Sequence, residues 1–162
     1  MRFARMKTLS VVGAVLLLSG CVLAVDSDLD RDDRRASTVE YLKAPGTENM
    51  DLPFSAAVRS GETLYLSGML GIPPGTRSLV PGGIQPETRQ TLENISQRLE
   101  DFGYSMDDVV KCTVFLADMA EWGAMNEVYK TFFRNPPARS AVGVSGIALD
   151  GRIEIECIAH AG

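Results

Sequence analysis

Two stretches of the chain, TVFLA at 113–117 and AVGVSGIAL at 141–149, read as strands with almost no polar alternation. A strand apolar on both sides needs cover on both sides. This sets the main constraint on the fold, because the chain has little to cover them with. Leu92, Ile95, Leu99 and Phe102 fall at i, i+3, i+7 and i+10, one apolar stripe of a helix, with Gly103 at the C-cap position. Trp122, Met125, Tyr129 and Phe132 repeat that stripe. This second helix opens on a capping-box-like Asp118–Glu121 pair, and Asn135-Pro136-Pro137 stops it. Two helices can cover one face of a sheet. The other face is expected to be covered by further copies of the chain, since an apolar sheet face left to solvent is unusual for a monomer.

The remaining elements follow from turn signals. PFSAAVRSGETLYLSGML (53–70) reads as two strands joined at Ser60-Gly61-Glu62, and GIPPGTRSLVPGG (71–83) as loop. VVKCTVFLAD, RSAVGVSGIAL and RIEIECIAH supply three more strands, with a turn near Asp150-Gly151. The order is β-β-α-β-α-β-β, a single α/β domain over 39–162.

The N-terminus is an address. Arg2, Arg5 and Lys7 precede an apolar run from Leu9 to Leu18, then small residues before Cys21. This is the layout of a secretory signal, and its apolar run is too short to span a bilayer as a helix. Residues 1–20 are expected to be signal peptide. The mixed-charge segment 21–38 reads as a solvated tether, roughly 60 Å long at full extension and nearer 25 Å as a flexible coil. The chain carries 16 basic and 21 acidic residues, a net charge of −5 that becomes more negative once the N-terminal cations are removed. Such a surface repels phosphate backbones, so nucleic acid is not expected as a partner.

Few residues suggest metal or nucleophile chemistry. Cys112 and Cys157 lie on expected strands and read most simply as buried free thiols, although a disulfide is chemically allowed outside the cytoplasm. They are too few for a zinc site, and the single histidine, His160, sits at the C-terminal fringe. Arg139 lies between a Pro-Pro pair and an apolar strand. By itself it reads as a surface or interface cation. Glu154 alternates with Ile153 and Ile155, so it faces away from them, on the same side as Glu156.

Several separated segments carry a resemblance in the right order: TLYLSGMLGI, VPGGIQPETRQTLENI, DDVVKCTVFLADM, MNEVY, PPARSAV and IEIECIA. Together they resemble the Rid (YjgF) superfamily of reactive intermediate deaminases, from about Val39 to Ala161. The resemblance implies a chorismate-mutase-like α/β fold, a homotrimer whose sheets line a central barrel, and sites at subunit interfaces. It implies hydrolysis of short-lived enamines and imines to keto acids and ammonia, with small imino- and keto-acid carboxylates as ligands and no metal or organic cofactor. Carried over by motif, Arg139 grips the substrate carboxylate, Glu154 is linked to the catalytic water, Ser67 and Gly68 sit beside the ligand, and Asn126 matches the family's asparagine. The ending Leu18-Ser19-Gly20-Cys21 resembles the lipobox of bacterial lipoproteins. It implies lipidation of Cys21 and a place in the bacterial cell envelope, on the extracytoplasmic side.

The chemistry suits these residue types. An arginine fork makes two parallel hydrogen bonds to a carboxylate. A glutamate can hold and deprotonate a water, or carry a proton to nitrogen. Three positions depart from the family pattern. Phe54 replaces a common tyrosine, Met69 a glutamine, and Ala141 a cysteine or threonine. The clamp is kept while polar handling of water is thinned, which leaves open a non-catalytic carboxylate binder. A holdase-like or scaffolding trimer has no positive feature in its favour.

Overall fold

The computed structural model describes residues 38–162. The expected signal peptide (1–20), Cys21 and all of the expected tether up to residue 37 lie outside the described residues. Six strands form one mixed sheet: β1 (Val39–Leu42), β2 (Ala57–Ser60), β3 (Thr63–Leu66), β4 (Val109–Leu116), β5 (Ala138–Gly143) and β6 (Ile153–His160). Their order across the sheet is β1-β2-β3-β6-β4-β5, antiparallel throughout except for the parallel β4–β5 pair. Two helices, α1 (Ile84–Asp101) and α2 (Trp122–Tyr129), pack on one face. The expected β-β-α-β-α-β-β succession is present, with β1 added in front as an edge strand that the sequence reading did not anticipate.

The core forms where the two patterns meet. Leu92, Ile95 and Leu99 of α1 and Met125 of α2 are fully buried against Leu64, Val114, Leu116, Ile153 and Ile155. Gly82 and Gly83, at φ 112° and 91°, turn the chain into α1. The Thr88 and Thr91 hydroxyls then donate to the carbonyls of Ile84 and Glu87, which lets both threonines lie wholly inside. Asn94 donates from its amide to Leu70 O and Ile72 O at 2.9 and 2.8 Å, tying the loop after β3 to the helix.

Four expectations need correction. The open face is mixed rather than continuously apolar. Val110, Tyr65 and Val142 are about half exposed there. Lys111, Thr113, Glu154 and Glu156 share that face by register with Ile158 and Phe115. Second, β5 ends at Gly143. It is an edge strand paired only with β4, and β4 stops at Leu116. One further bond, Val144 N to Leu116 O, closes the ladder. The chain then turns through Leu149 and Asp150 at φ 60° and 58°. Third, α2 ends at Tyr129, well before the prolines. Thr131 turns both its backbone N–H and its hydroxyl onto Val128 O. The cysteines also differ from the reading as free thiols: Cys112 and Cys157 face one another across β4 and β6, with Cα atoms 4.1 Å apart, and form a disulfide.

Candidate active site

Sheet register decides which of the candidate residues can meet. Arg139 is in register with Cys112, and Cys112 with Cys157, so Arg139 shares the helix-covered face. Glu154 is in register with Phe115, and Phe115 with Val142, on the opposite face. Within one chain the expected carboxylate clamp and the expected acid–base group therefore lie on opposite sides of the sheet.

The first half-site belongs to Glu154. Its carboxylate lies directly against Gly68. A methyl group built on Gly68 would stand 1.9 Å from Glu154 Oε1 and 2.8 Å from its Cδ. Met69 reaches β6 by exchanging backbone hydrogen bonds with Ile155, which holds Gly68 at this distance. Ser67 donates its hydroxyl to Ser55 O at 2.7 Å, so its oxygen keeps only acceptor capacity for a ligand. Ser67, Gly68 and Met69 line a cavity of about 130 Å³ together with Met50, Leu52 and Phe54. Phe54 is 60% exposed.

The second half-site belongs to Arg139. Arg139 Nη1 donates to Asn126 Oδ1 at 2.7 Å. Its guanidinium lies over the Tyr129 ring, 4.6 Å from the centroid, with Trp122 6.0 Å away. The arginine is thus held by α2 from two directions, with Pro136 and Pro137 in the wall of the same cavity. Asn126 acts here on the arginine, fixing its plane. Tyr129 hydroxyl is buried without a hydrogen-bond partner. Burial pushes this phenol up to about 12, although the positive charge of Arg139 pulls the other way.

The sequence reading missed three contributors. The helical stripe puts Trp122 and Tyr129 in the core; Tyr129 is indeed buried there, whereas Trp122 is 44% exposed, and both rings also flank Arg139. An aromatic in an apolar stripe looks the same whether it packs on leucine or on a guanidinium. Glu87 is the third. It is 4% exposed and accepts the backbone N–H groups of Arg152 and Ile153, at 2.8 and 3.3 Å. It fixes the start of β6, one residue before Glu154. Its only trace in the sequence is a charge next to buried helix positions. Among the described residues no group of acidic, histidine or cysteine side chains is placed to hold a metal ion.

Residues 44–161 match the family model described as endoribonuclease L-PSP. The chain belongs to this family, the Rid superfamily that its motifs resembled. A 2-iminobutanoate/2-iminopropanoate deaminase of Mus musculus is 44% identical over 68% of this chain and 82% of its own length. The human protein of the same name is 41% identical over 76% of this chain and 89% of its own. Among solved structures, the Rid-family protein YyfA from Yersinia pestis superposes with a TM-score of 0.70 at 32% identity, covering 76% of this chain and all of that one. TdcF of E. coli with bound serine gives 0.65 at 33% identity, over 75% and 93% of the two chains. The mixed six-stranded sheet with two helices is thus the YjgF-like, chorismate-mutase-like fold. At the level of the family the chain is a deaminase-like enzyme of the Rid group.

Proposed function

We propose that this Rid protein hydrolyses 2-imino and enamine acids to 2-keto acids and ammonia, in a homotrimer, at sites shared between two copies. The observation that carries the reading is the split of the candidate groups across the sheet: a carboxylate seated on Gly68 on one face, an arginine braced by Asn126 and Tyr129 on the other. Neither half suffices alone. When Arg139 of one copy faces Glu154 of the next, the halves complement each other.

The reaction then runs on the chain's own residues. Arg139 takes the substrate carboxylate in its fork. Glu154 orients a water at the carbon of the protonated imine and accepts a proton as the carbon–oxygen bond forms, while the C=N electron pair moves to nitrogen. Glu154 returns that proton to nitrogen, the carbon–nitrogen bond breaks with its electron pair going to nitrogen, and Glu154 takes the hydroxyl proton as the carbonyl forms, passing it to the departing ammonia, which leaves as ammonium. Water is consumed, and no electrons are gained or lost. Holding a reactive imine beside an ordered water supplies part of the rate.

The proposal places the protein outside the cytoplasm, lipid-anchored through Cys21. The Leu18-Ser19-Gly20-Cys21 ending supports this, and so does the buried Cys112–Cys157 disulfide, a bond that cytosolic thiols keep reduced in most proteins. The family model is named for a nuclease, but the acidic balance of 21 to 16 argues against a phosphate backbone as partner. The second reading, a carboxylate-binding homologue without turnover, draws on Phe54 and Met69, apolar residues lining the cavity beside Ser67 and Gly68.

The deciding assay is ammonia release from imines made in situ by an amino-acid oxidase. Arg139→Ala and Glu154→Gln should each lose activity. Unfolding and reassembling the two variants together should recover about a quarter of the wild-type rate, because one pairing in four joins both intact halves. No recovery from a correctly assembled mixture would sink the shared site. Keto-acid binding without ammonia release by the wild type would favour the binder.

A further inference from the structure

The reaction above uses the fork of Arg139 and leaves what flanks it without a role. Arg139, Ala141 and Gly143 share the helix-covered face of β5, because alternate residues of a strand point the same way. Two apolar side chains stand at the ends of this row. At one end is Trp122, the only tryptophan of the chain, whose ring centroid lies 6.0 Å from the guanidinium carbon of Arg139. At the other end is Met119, seated on Gly143: a methyl group built on that glycine would lie 2.8 Å from Met119 Cγ. Met119 belongs to the short turn that leads into α2, which Asp118 holds by accepting the Ala120 N–H at 2.8 Å. Both side chains are about half exposed, unlike Tyr129, which is buried beneath the same arginine. Arg139 gives Nη1 to Asn126. Its other guanidinium N–H groups have no hydrogen-bond partner among the described residues, and none of those atoms is enclosed. Reachable donors and half-exposed apolar surface thus stand side by side, the usual composition of a small-molecule site.

We infer that Trp122, with Met119 and Ala141, forms the wall on which the substrate's side chain packs, and that this wall selects 2-imino acids with branched apolar side chains. The inference rests on the deaminase reading, in which Arg139 is the carboxylate clamp. The side chain of a 2-imino acid begins two bonds from its carboxylate carbon. A carboxylate held in the fork therefore leaves the side chain beside whatever flanks the arginine. Here the flank is an indole, a thioether and a methyl group. Ala141 belongs to it by losing polarity: it offers only a methyl where the family pattern has cysteine or threonine. A substrate methyl group covers little of such a wall. An isobutyl group covers much more, and each further methylene removed from water adds to the affinity. A rigid aromatic ring suits the task, because it presents a large apolar face at little cost in side-chain freedom.

Titration of the full-length protein tests this, with 4-methyl-2-oxopentanoate and pyruvate as product-side probes, read by calorimetry and by the emission of the single tryptophan. Wild type should bind the branched acid about tenfold more tightly. Both acids should change Trp122 emission saturably, at the affinities that calorimetry gives, and Arg139→Ala should abolish that change. Trp122→Ala should bring the affinity ratio of the two acids close to one, and Trp122→Phe should restore most of it. Met119→Ser, at an exposed position, should lower the ratio severalfold and serves if Trp122→Ala fails to fold. Equal affinity of the wild type for the two acids would overturn the inference, as would failure of both to bind. So would equal weakening of both acids in Trp122→Ala with the ratio kept, since the indole would then only brace the arginine. Binding without any change in emission has the same force. Ammonia release from the imines of alanine and leucine, made in situ by an amino-acid oxidase, separates the two levels. Turnover of both without preference removes the wall and keeps the deaminase. Selective binding of the branched acid without any turnover keeps the wall and removes the reaction.

Discussion

At Gly68 the chain leaves no room for a methyl group, because the Glu154 carboxylate fills the space where a side chain would begin. Gly68→Ala should therefore displace the carboxylate and abolish most ammonia release, while circular dichroism and thermal unfolding stay near wild type. Retained turnover would show that this contact is incidental. Arg139→Lys is the matching test on the other half-site. A point charge does not reproduce a bidentate fork or its stacking on Tyr129. The expected cost is about 1.5–3 kcal/mol, read as a ten- to hundredfold fall in kcat/KM. Tyr129 makes a pH prediction. Its phenol is raised from 10.0 to about 12 by burial, so the folded state keeps its proton where the unfolded chain has lost it. Its contribution to stability is complete below pH 10 and declines as pH rises toward 12. Tyr129→Phe removes an unpartnered hydroxyl, and should flatten that decline in urea titrations while leaving stability at neutral pH nearly unchanged or improved.

Among the elements, β6 is the most constrained. It lies between β3 and β4, starts under the Glu87 carboxylate, and is bonded covalently to β4 through Cys157. Each restraint acts within a few residues of Glu154. Glu87→Leu would leave the buried Ile153 amide bare, at about 1–3 kcal/mol, and the part-buried Arg152 amide without its acceptor, and should lower turnover together with stability. Reducing the disulfide frees a cross-link spanning 45 residues. The loss should be about 2–4 kcal/mol, measured as a lower urea midpoint in strong reductant. An unchanged midpoint would mean that packing alone fixes the β4–β6 register. α1 and β5 differ in kind. α1 is a long amphipathic helix stabilised by core burial, whereas β5 is an edge strand whose length is set by where β4 ends.

For the whole molecule, the prediction is assembly. A protomer that presents Arg139 on one face and Glu154 on the other cannot join them by itself. Light scattering on detergent-solubilised full-length protein should give three protomers per particle after correction for bound detergent. A stable monomer at micromolar concentration that still releases ammonia would refute the shared site. Intact-mass measurement of membrane-extracted protein should find Cys21 as a lipid-bearing N-terminus. A soluble product with a free Cys21 thiol would remove the anchor from the proposal.

Local chemistry alone determined much of this protein. Helical stripes located α1, and Gly61 located the β2–β3 turn. Alternation around Ile153 and Ile155 placed Glu154 on the face away from the core, and short motifs identified the family. These features depend on neighbours within a few residues, which a linear sequence displays. What the sequence did not carry depends on partners far along the chain. Cys112 and Cys157 are 45 residues apart and become a pair only through the β4–β6 register. Tyr129 and Trp122 become parts of an arginine clamp only because β5 passes beside α2. Glu87 becomes a cap only because β6 begins beneath it. Whether Arg139 and Glu154 share a face was likewise settled by strand order and register, since alternation fixes relative facing within a strand, and only the pairing of strands extends it across a sheet.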